Sequence, residues 1–283
     1  MLAPEHTLGH AGRPARVEDV EVVGDAFGRP LVDEKETGKY DLSGLFAVVN
    51  GGAPLNPAIK ERILELLPNG MVLDAVGSSE AGIQMANPST KGSATTGDFT
   101  PHVGSVVVSE DLTRLLEPGE DATGWLAQTG YVPLGYLGDA EKTARTFPVI
   151  DGTRYSVPGD RARIRPDGVV ELLGRDSVTI NSGGEKIFAE EVESAVKAHP
   201  AVYDCVVAGR PSERWGHEVV AVVQIRDGLD LDEQSLRDEA SKHIARYKVP
   251  KAIVFVDEIV RSPSGKADYR WATNVARSVG STT

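Results

Sequence analysis

The chain has 283 residues, with 30 Lys and Arg against 42 Asp and Glu, a formal charge of −12. That length suits one large domain or two ordinary ones, and so negative a mean field repels phosphate, which argues against a general binder of nucleic acid or anionic membranes. With 40% hydrophobic and 25% charged residues the composition is globular, and the single cysteine, Cys205, excludes an intramolecular disulfide or a cysteine-built zinc cage.

In chain order, residues 1–20 read as an irregular lead-in. The opening MLAPEHTLGHAGRPARVEDVEVV has no apolar core of signal-peptide length. No run anywhere approaches the roughly 20 apolar residues that cross a bilayer. The expectation is a cytoplasmic protein with no integral membrane segment. Leu45–Asn50 reads as a strand, followed by a Gly-Gly-Ala-Pro turn at 51–54. A helix follows, with Asn56 as cap, Pro57 in its first turn, and Ile59, Ile63, Leu66 and Leu67 at helical spacing. Pro68-Asn69-Gly70 stops it, and Met71–Val76 reads as a short buried strand ending at Gly77. Strand, turn, helix and strand at these spacings make an α/β unit.

Residues 87–100 read as a Ser/Thr/Gly/Pro loop. From Gly104 to Gly174, short β-like runs such as Gly104–Ser109 and Asp167–Leu173 alternate with Gly and Pro, the pattern of antiparallel hairpins. Ala189–Ala198 is an expected helix with Val192, Ala195 and Val196 on one face. Val202–Ala208, Glu218–Ile225 and Ala252–Val256 are expected strands, and Asp232–Ala245 a second helix capped by Asp232. The boundary falls between Gly174 and Asn181. The expected fold class is thus α/β and α+β: residues 1–175 form the C-terminal part of a large domain with an antiparallel β segment, and residues 176–283 a small α+β domain.

Several groups invite a chemical reading. Gly51 and Gly52 let backbone approach a flat ligand, because no Cβ intervenes. Glu80, with Ser78 and Ser79, stands just past a strand end, where α/β folds place ligands. Asp160 follows Pro158-Gly159 and is a fixed carboxylate able to accept two hydroxyl hydrogen bonds. Lys266 is a mobile ammonium in Ser264-Gly265-Lys266. Taken singly, each also fits an ordinary turn, a solvated acid, an Asp–Arg surface pair or an exposed lysine. The six histidines show no metal-ligand spacing, the three tryptophans are too scattered for a nucleic-acid stacking surface, and Cys205 falls in an apolar strand.

Five stretches in fixed order change the balance: GGAPL (51–55), VGSSEAG (76–82), GYLGDAEKTARTF (135–147), PGDRARIRPDGVVELLGRDSVTINSGGEKIFAEEVE (158–193) and SPSGKADYR (262–270). Together they resemble the acyl-adenylate-forming (AMP-binding) superfamily, and fatty-acyl-CoA ligases in particular, from about residue 20 to the C-terminus. The resemblance implies a fatty or related carboxylic acid joined to CoA through acyl-AMP, with ATP, Mg²⁺ and CoA as reactants and cofactors. It implies a nucleotide site from Gly51, Gly52, Ala53, Val76, Gly77, Ser78, Ser79, Asp160 and Arg175, with Asp160 on the ribose. Glu80 would hold Mg²⁺ and Lys266 would be the adenylation lysine. Asp176 and Ser177 would be the hinge, and Ser182, Gly183, Gly184 and Glu185 would line the pantetheine tunnel. Val76 stands where the family usually carries an adenine-stacking ring.

The family also uses an SGTTG-type phosphate loop upstream of the GGAPL turn, and none precedes that turn here. Gly92-Ser-Ala-Thr-Thr-Gly97 looks similar but follows the Glu80 motif and leads into Asp98, so it reads as a surface loop. The leading reading is therefore the C-terminal half of an acyl-CoA synthetase, with exposed apolar surface that favours self-association or a separate N-terminal half. A non-catalytic or split-enzyme module binding AMP, CoA or a partner chain is the alternative. An adenylating enzyme with another acceptor is a third.

Overall fold

Two sheets, meeting at one tight turn, organise the computed structural model, which describes residues 19–38, 42, 44–67 and 70–279. The expected lead-in over residues 1–18, and Pro68 and Asn69 of the helix stop, lie outside them. The first sheet begins with β1 (Asp19–Val22), helix α1 (Asp25–Glu36), β2 (Ala47–Gly51), helix α2 (Pro57–Leu66) and β3 (Met71–Ser78). These three strands pair in parallel, with Gly51 opposite Ala75. Asn56 Oδ1 accepts from Ala58 N at 2.8 Å and Pro57 opens α2, as expected.

The sheet then turns antiparallel. Its further elements are β4 (Gly82–Ser89), β5 (Asp98–Pro101), β6 (Ser105–Val108), β7 (Gly124–Thr129), α3 (Ala140–Thr146), β8 (Val149–Ile150), β9 (Thr153–Ser156), β10 (Asp160–Ile164) and β11 (Val170–Arg175). After the turn Asp176–Val178 come β12 (Ile180–Ser182), β13 (Glu185–Ile187), α4 (Ala189–Lys197), β14 (Val202–Ser212), β15 (Gly216–Ile225), α5 (Glu233–Ala240), β16 (Ala252–Val256) and α6 (Tyr269–Ser278). The last five strands form the second sheet, with β15 antiparallel to β14 and parallel to β16.

Packing explains the patterns. Val22, Val48 and Val72 meet Leu55, Ile59 and Ile63 of the α2 region in one core. In β15, Val219, Ala221 and Val223 pack with α4 and α5, whereas Val220 and Val222 pack with α6. Both faces are buried, so the strand reads as a continuous apolar run. Cys205 lies in the core that β15 shares with α4 and α5, and burial pushes its thiol pKa up.

Four expectations need correction. The first strand begins at Asp19, inside the expected lead-in, and α1 follows where no helix was foreseen. The 87–100 loop is shorter, because β4 continues its hairpin with β3 to Ser89 and β5 starts at Asp98. The helix capped by Asp232 ends at Ala240 instead of Ala245. Helices α3 and α6 were also unforeseen.

Candidate active site

The Gly51–Ala53 turn ends a parallel strand and rests on a buried polar chain. Asn50 Oδ1 accepts from Gly24 N at 2.8 Å, and Asn50 Nδ2 donates to Ala53 O at 3.2 Å and to Asp74 Oδ1 at 2.8 Å. Asp74 Oδ2 pairs with Lys60 Nζ at 2.5 Å, and Lys60 also donates to Thr96 Oγ1 at 3.0 Å. Every member thus has a partner that offsets its loss of water, which lets the polar chain fix the turn.

Lys266 comes to this turn from more than two hundred residues downstream. Gly52 has φ +77°, and a Cβ built on it would lie 3.4 Å from Lys266 Cε and 4.0 Å from its Nζ. The lysine stem therefore lies along the glycine where a side chain would stand, and Gly52 supplies both the conformation and the space.

Glu80 occupies the β3–β4 turn, past the end of a strand that neighbours Gly51. Tyr136 Oη donates to Glu80 Oε1 at 2.6 Å, and the Lys142 ammonium lies 3.8 Å from the Tyr136 ring centre. The tyrosine hydrogen bond, with the lysine charge behind it, holds the Glu80 carboxyl below its ordinary range. Gly77 is required here by close approach: a Cβ on it would sit 2.4 Å from Gly82 O. Ser79 is exposed, Ser78 is half-buried, and Val76 packs against the core containing Met85 and Phe99.

Asp160 and Arg175 face each other across the β10–β11 hairpin, and Arg175 Nε donates to Asp160 Oδ1 at 3.2 Å. Burial raises the Asp160 pKa, Arg175 opposes the rise, and the nearby Glu80 charge adds to it. Glu80 and Asp160 therefore share one electrostatic neighbourhood. Beyond Arg175, Asp176 N donates to Gly159 O at 3.1 Å, which ties the turn holding Asp176 and Ser177 to the Asp160 loop.

The 182–185 segment is separate. Gly183 and Gly184, with φ +61° and +91°, form a two-residue turn between Ser182 and Glu185. Gly183 packs against Trp215, and Lys186 pairs with Glu110. Among the described residues, no hydrogen bond or ion pair joins this hairpin to Gly52, Glu80 or Lys266. The Gly92–Gly97 loop meets the chain beneath the turn through Thr95 and Thr96, which bond to Lys60, while the amides of Gly92 and Ala94 donate to the Glu61 carboxylate at 3.1 and 3.0 Å. A phosphate-binding loop leaves such amides free for its ligand, so the surface-loop expectation agrees with these contacts.

Among the described residues no three His, Cys, Asp or Glu side chains gather as a metal cage. Glu80 offers a single carboxylate with Oε1 engaged by Tyr136. That donor set fits Mg²⁺, which keeps several waters and uses one or two carboxylates plus substrate phosphates. Tyr136, Lys142, Lys60, Asp74 and Asn50 join the site only through the fold. For Tyr136 and Lys142 the only signal was the GYLGDAEKTARTF stretch, and for the buried trio there was none.

Residues 191–266 match the AMP-binding enzyme C-terminal domain. The medium-chain acyl-CoA ligase Mig of Mycobacterium avium is 62% identical over 92% of this chain and 48% of its own length. The 3-oxocholest-4-en-26-oate–CoA ligase of Rhodococcus rhodochrous is 48% identical over 91% of this chain and 48% of its own length. The crystal structure of ATP-bound MatB from Rhodopseudomonas palustris matches with TM-score 0.77 and 26% identity, covering 94% of this chain and 52% of that one. The chain spans about half the length of the curated relatives it matches.

Proposed function

The chain belongs to the acyl-adenylate-forming (AMP-binding) superfamily, on its acyl-CoA synthetase side, and from that premise we propose that it carries part of an ATP-dependent acyl-CoA ligase. The substrate is a fatty or related carboxylic acid. In the first half-reaction a carboxylate oxygen bonds to the α-phosphorus of ATP and pyrophosphate leaves. In the second, the CoA sulfur bonds to the acyl carbon, its proton is lost, and AMP leaves.

The residues take these parts. The Gly51–Ala53 turn receives adenine, with Gly77, Ser78 and Ser79 bordering the phosphates. Val76 gives adenine an aliphatic wall in place of a stacking ring. Asp160 accepts from the ribose hydroxyls, and Arg175 orients it. Lys266 stabilises the charge that builds at phosphorus, where a preorganised cation lowers the barrier most. Glu80 would hold Mg²⁺, which when bound neutralises phosphate charge. Residues 1–175 and 176–283 act as two domains hinged at Asp176 and Ser177, and Ser182–Glu185 lines the pantetheine path after the hinge moves. The protein acts in the cytoplasm. Exposed Tyr131, Leu134 and Leu137 favour self-association or cover by a separate N-terminal half.

The observation that carries this reading is Lys266 against Gly52, beside strand ends that bear Glu80. Thermal-shift titration with AMP, a non-hydrolysable acyl-AMP analogue and CoA tests it. At a hundred times Kd the analogue should add about 2.7 kcal/mol. Asp160→Ala should abolish that gain. No stabilisation of the parent chain by either adenylate would refute the proposal.

A further inference from the structure

Helix α1 touches both halves of the structure through three of its first residues. Asp25 Oδ2 lies 2.7 Å from Lys197 Nζ of α4, with both side chains almost fully buried. The Phe27 ring lies so close to Gly265 that a Cβ there would be 2.3 Å from Phe27 Cε2. The Arg29 guanidinium lies 5.2 Å from the Tyr203 ring centre on β14. Residues 25, 27 and 29 thus meet the end of α4, the Ser264-Gly265-Lys266 loop and the second sheet.

The other side of the same helix start is fixed to the adenine-turn candidate. Asn56 N donates to Asp25 Oδ1 at 2.6 Å, and Gly24 N donates to Asn50 Oδ1 at 2.8 Å. A Cβ on Gly24 would meet Pro54 O at 2.7 Å. One carboxylate, Asp25, therefore binds the start of α2 with one oxygen and the second sheet's helix with the other.

We infer that α1 is the dock that sets Lys266 against Gly52, with Asp25 and Phe27 as positioning residues. The inference rests on the proposed role of Lys266 and extends it to residues that never touch substrate. The dock is built to separate. Lys197 also feels Asp204 and Glu193 of its own half, and Asp25 also feels Arg29 and accepts from Asn56 N. Each charge keeps compensation after parting, so undocking does not strand an unpaired ion in the interior, the usual obstacle to opening a buried pair. The Phe27–Gly265 contact adds shape: any side chain at 265 would lift the loop that carries Lys266.

The test is a distance measurement between two spin labels on the whole chain, at Glu141→Cys in the first half and Lys242→Cys in the second. Both sites are solvent-exposed, and the native Cys205 is buried. The parent should give one narrow distance. Asp25→Asn and Phe27→Ala should each add a second, displaced peak, and Lys197→Arg should restore the single peak relative to Lys197→Gln. Circular dichroism confirms folding, and if Asp25→Asn fails to fold, Lys197→Gln and Gly265→Ala serve in its place. An unchanged single peak in the folded variants overturns the dock. The measurement needs no nucleotide. Failure of the adenylate analogue to bind the parent chain would sink the functional reading while leaving the distance result intact.

Discussion

Lys60→Met tests whether the buried chain beneath Gly51–Ala53 is what shapes that turn. Lys60 is fully buried, and its ammonium is paired with Asp74, itself 5% exposed. Methionine fills most of the volume but leaves the Asp74 carboxylate with only the Asn50 amide. It also strips a hydrogen bond from Thr96, which in turn donates to Leu55 O at 2.7 Å. Removing one partner of a buried ion pair costs about 3–5 kcal/mol. With a urea m-value of about 2–3 kcal/mol/M, the midpoint should fall by roughly 1–2.5 M.

The control is Lys60→Met combined with Asp74→Asn, which removes the stranded charge but keeps an oxygen for Asn50. That double variant should recover more than about 2 kcal/mol, because neighbours in one network are not additive. Tryptophan fluorescence reports the unfolding. A midpoint within about 0.3 M of the parent for the single variant, or a double variant worse than either single, refutes the reasoning. Where the single variant stays folded, analogue affinity should drop as well, since the Asp74 carboxylate that anchors Asn50 has lost the cation that holds it in place.

Glu190, half-buried beside Arg175 N, has its pKa pushed up to about 7, by loss of water around the carboxyl first and the Glu193 charge second. A raised acid pKa favours the protonated native state, so its stabilisation is complete below the ordinary 4.5 and is lost as pH rises through 7. Glu190→Gln should flatten the fall in urea midpoint between these values, and an unaltered slope would count against it. Tyr136→Phe removes the main cause of the low Glu80 pKa, so a carboxyl NMR titration should show Glu80 moving up; no movement would contradict the hydrogen bond. Tyr131, Leu134 and Leu137 are essentially fully exposed, so sedimentation should show concentration-dependent association that Leu134→Asn with Leu137→Asn weakens. A parent chain that stays monomeric at high concentration would disprove that.

What could be read from the sequence followed local physics. Helix α2 was legible because its cap, its N-terminal proline and its apolar spacing agree, and β15 because both faces are buried. Helix α1 was hidden by Gly28 and Pro30, which lower helix propensity. Gly28 is nonetheless required, because a Cβ there would lie 2.6 Å from Leu55 Cδ1 where α1 meets the α2 region. The helix was invisible for the same reason that it packs. The site divides the same way. Glu80, Asp160, Arg175 and Lys266 stand in recognisable motifs. Tyr136 reaches Glu80 across 56 positions, and Asn50 reaches Asp74 across 24. Such partnerships are properties of the fold, with no short-range pattern to announce them.

The charges around the site lead to the last expectation. In the proposed site Glu80 and Asp160 are two carboxylates within reach of each other's charge, Glu80 beside Lys142 and Asp160 beside Arg175. The one loop whose composition suggests a phosphate cradle, Gly92–Gly97, has spent the amides of Gly92 and Ala94 on Glu61. On the proposed assignment the base and ribose have fitted partners, and among the described residues no backbone loop is left open to cradle the β- and γ-phosphates. The chain should therefore bind AMP and an acyl-AMP analogue, yet gain little from two further phosphates. Calorimetric Kd values for AMP and for ATP with Mg²⁺ should agree within about tenfold, or roughly 1.4 kcal/mol. Glu61→Gln should leave that ratio unchanged, because the loop is held by Glu61 of α2 and not by ligand. ATP binding a hundredfold tighter than AMP would show a phosphate grip on this chain and overturn the assignment of Gly92–Gly97 as a self-satisfied surface loop.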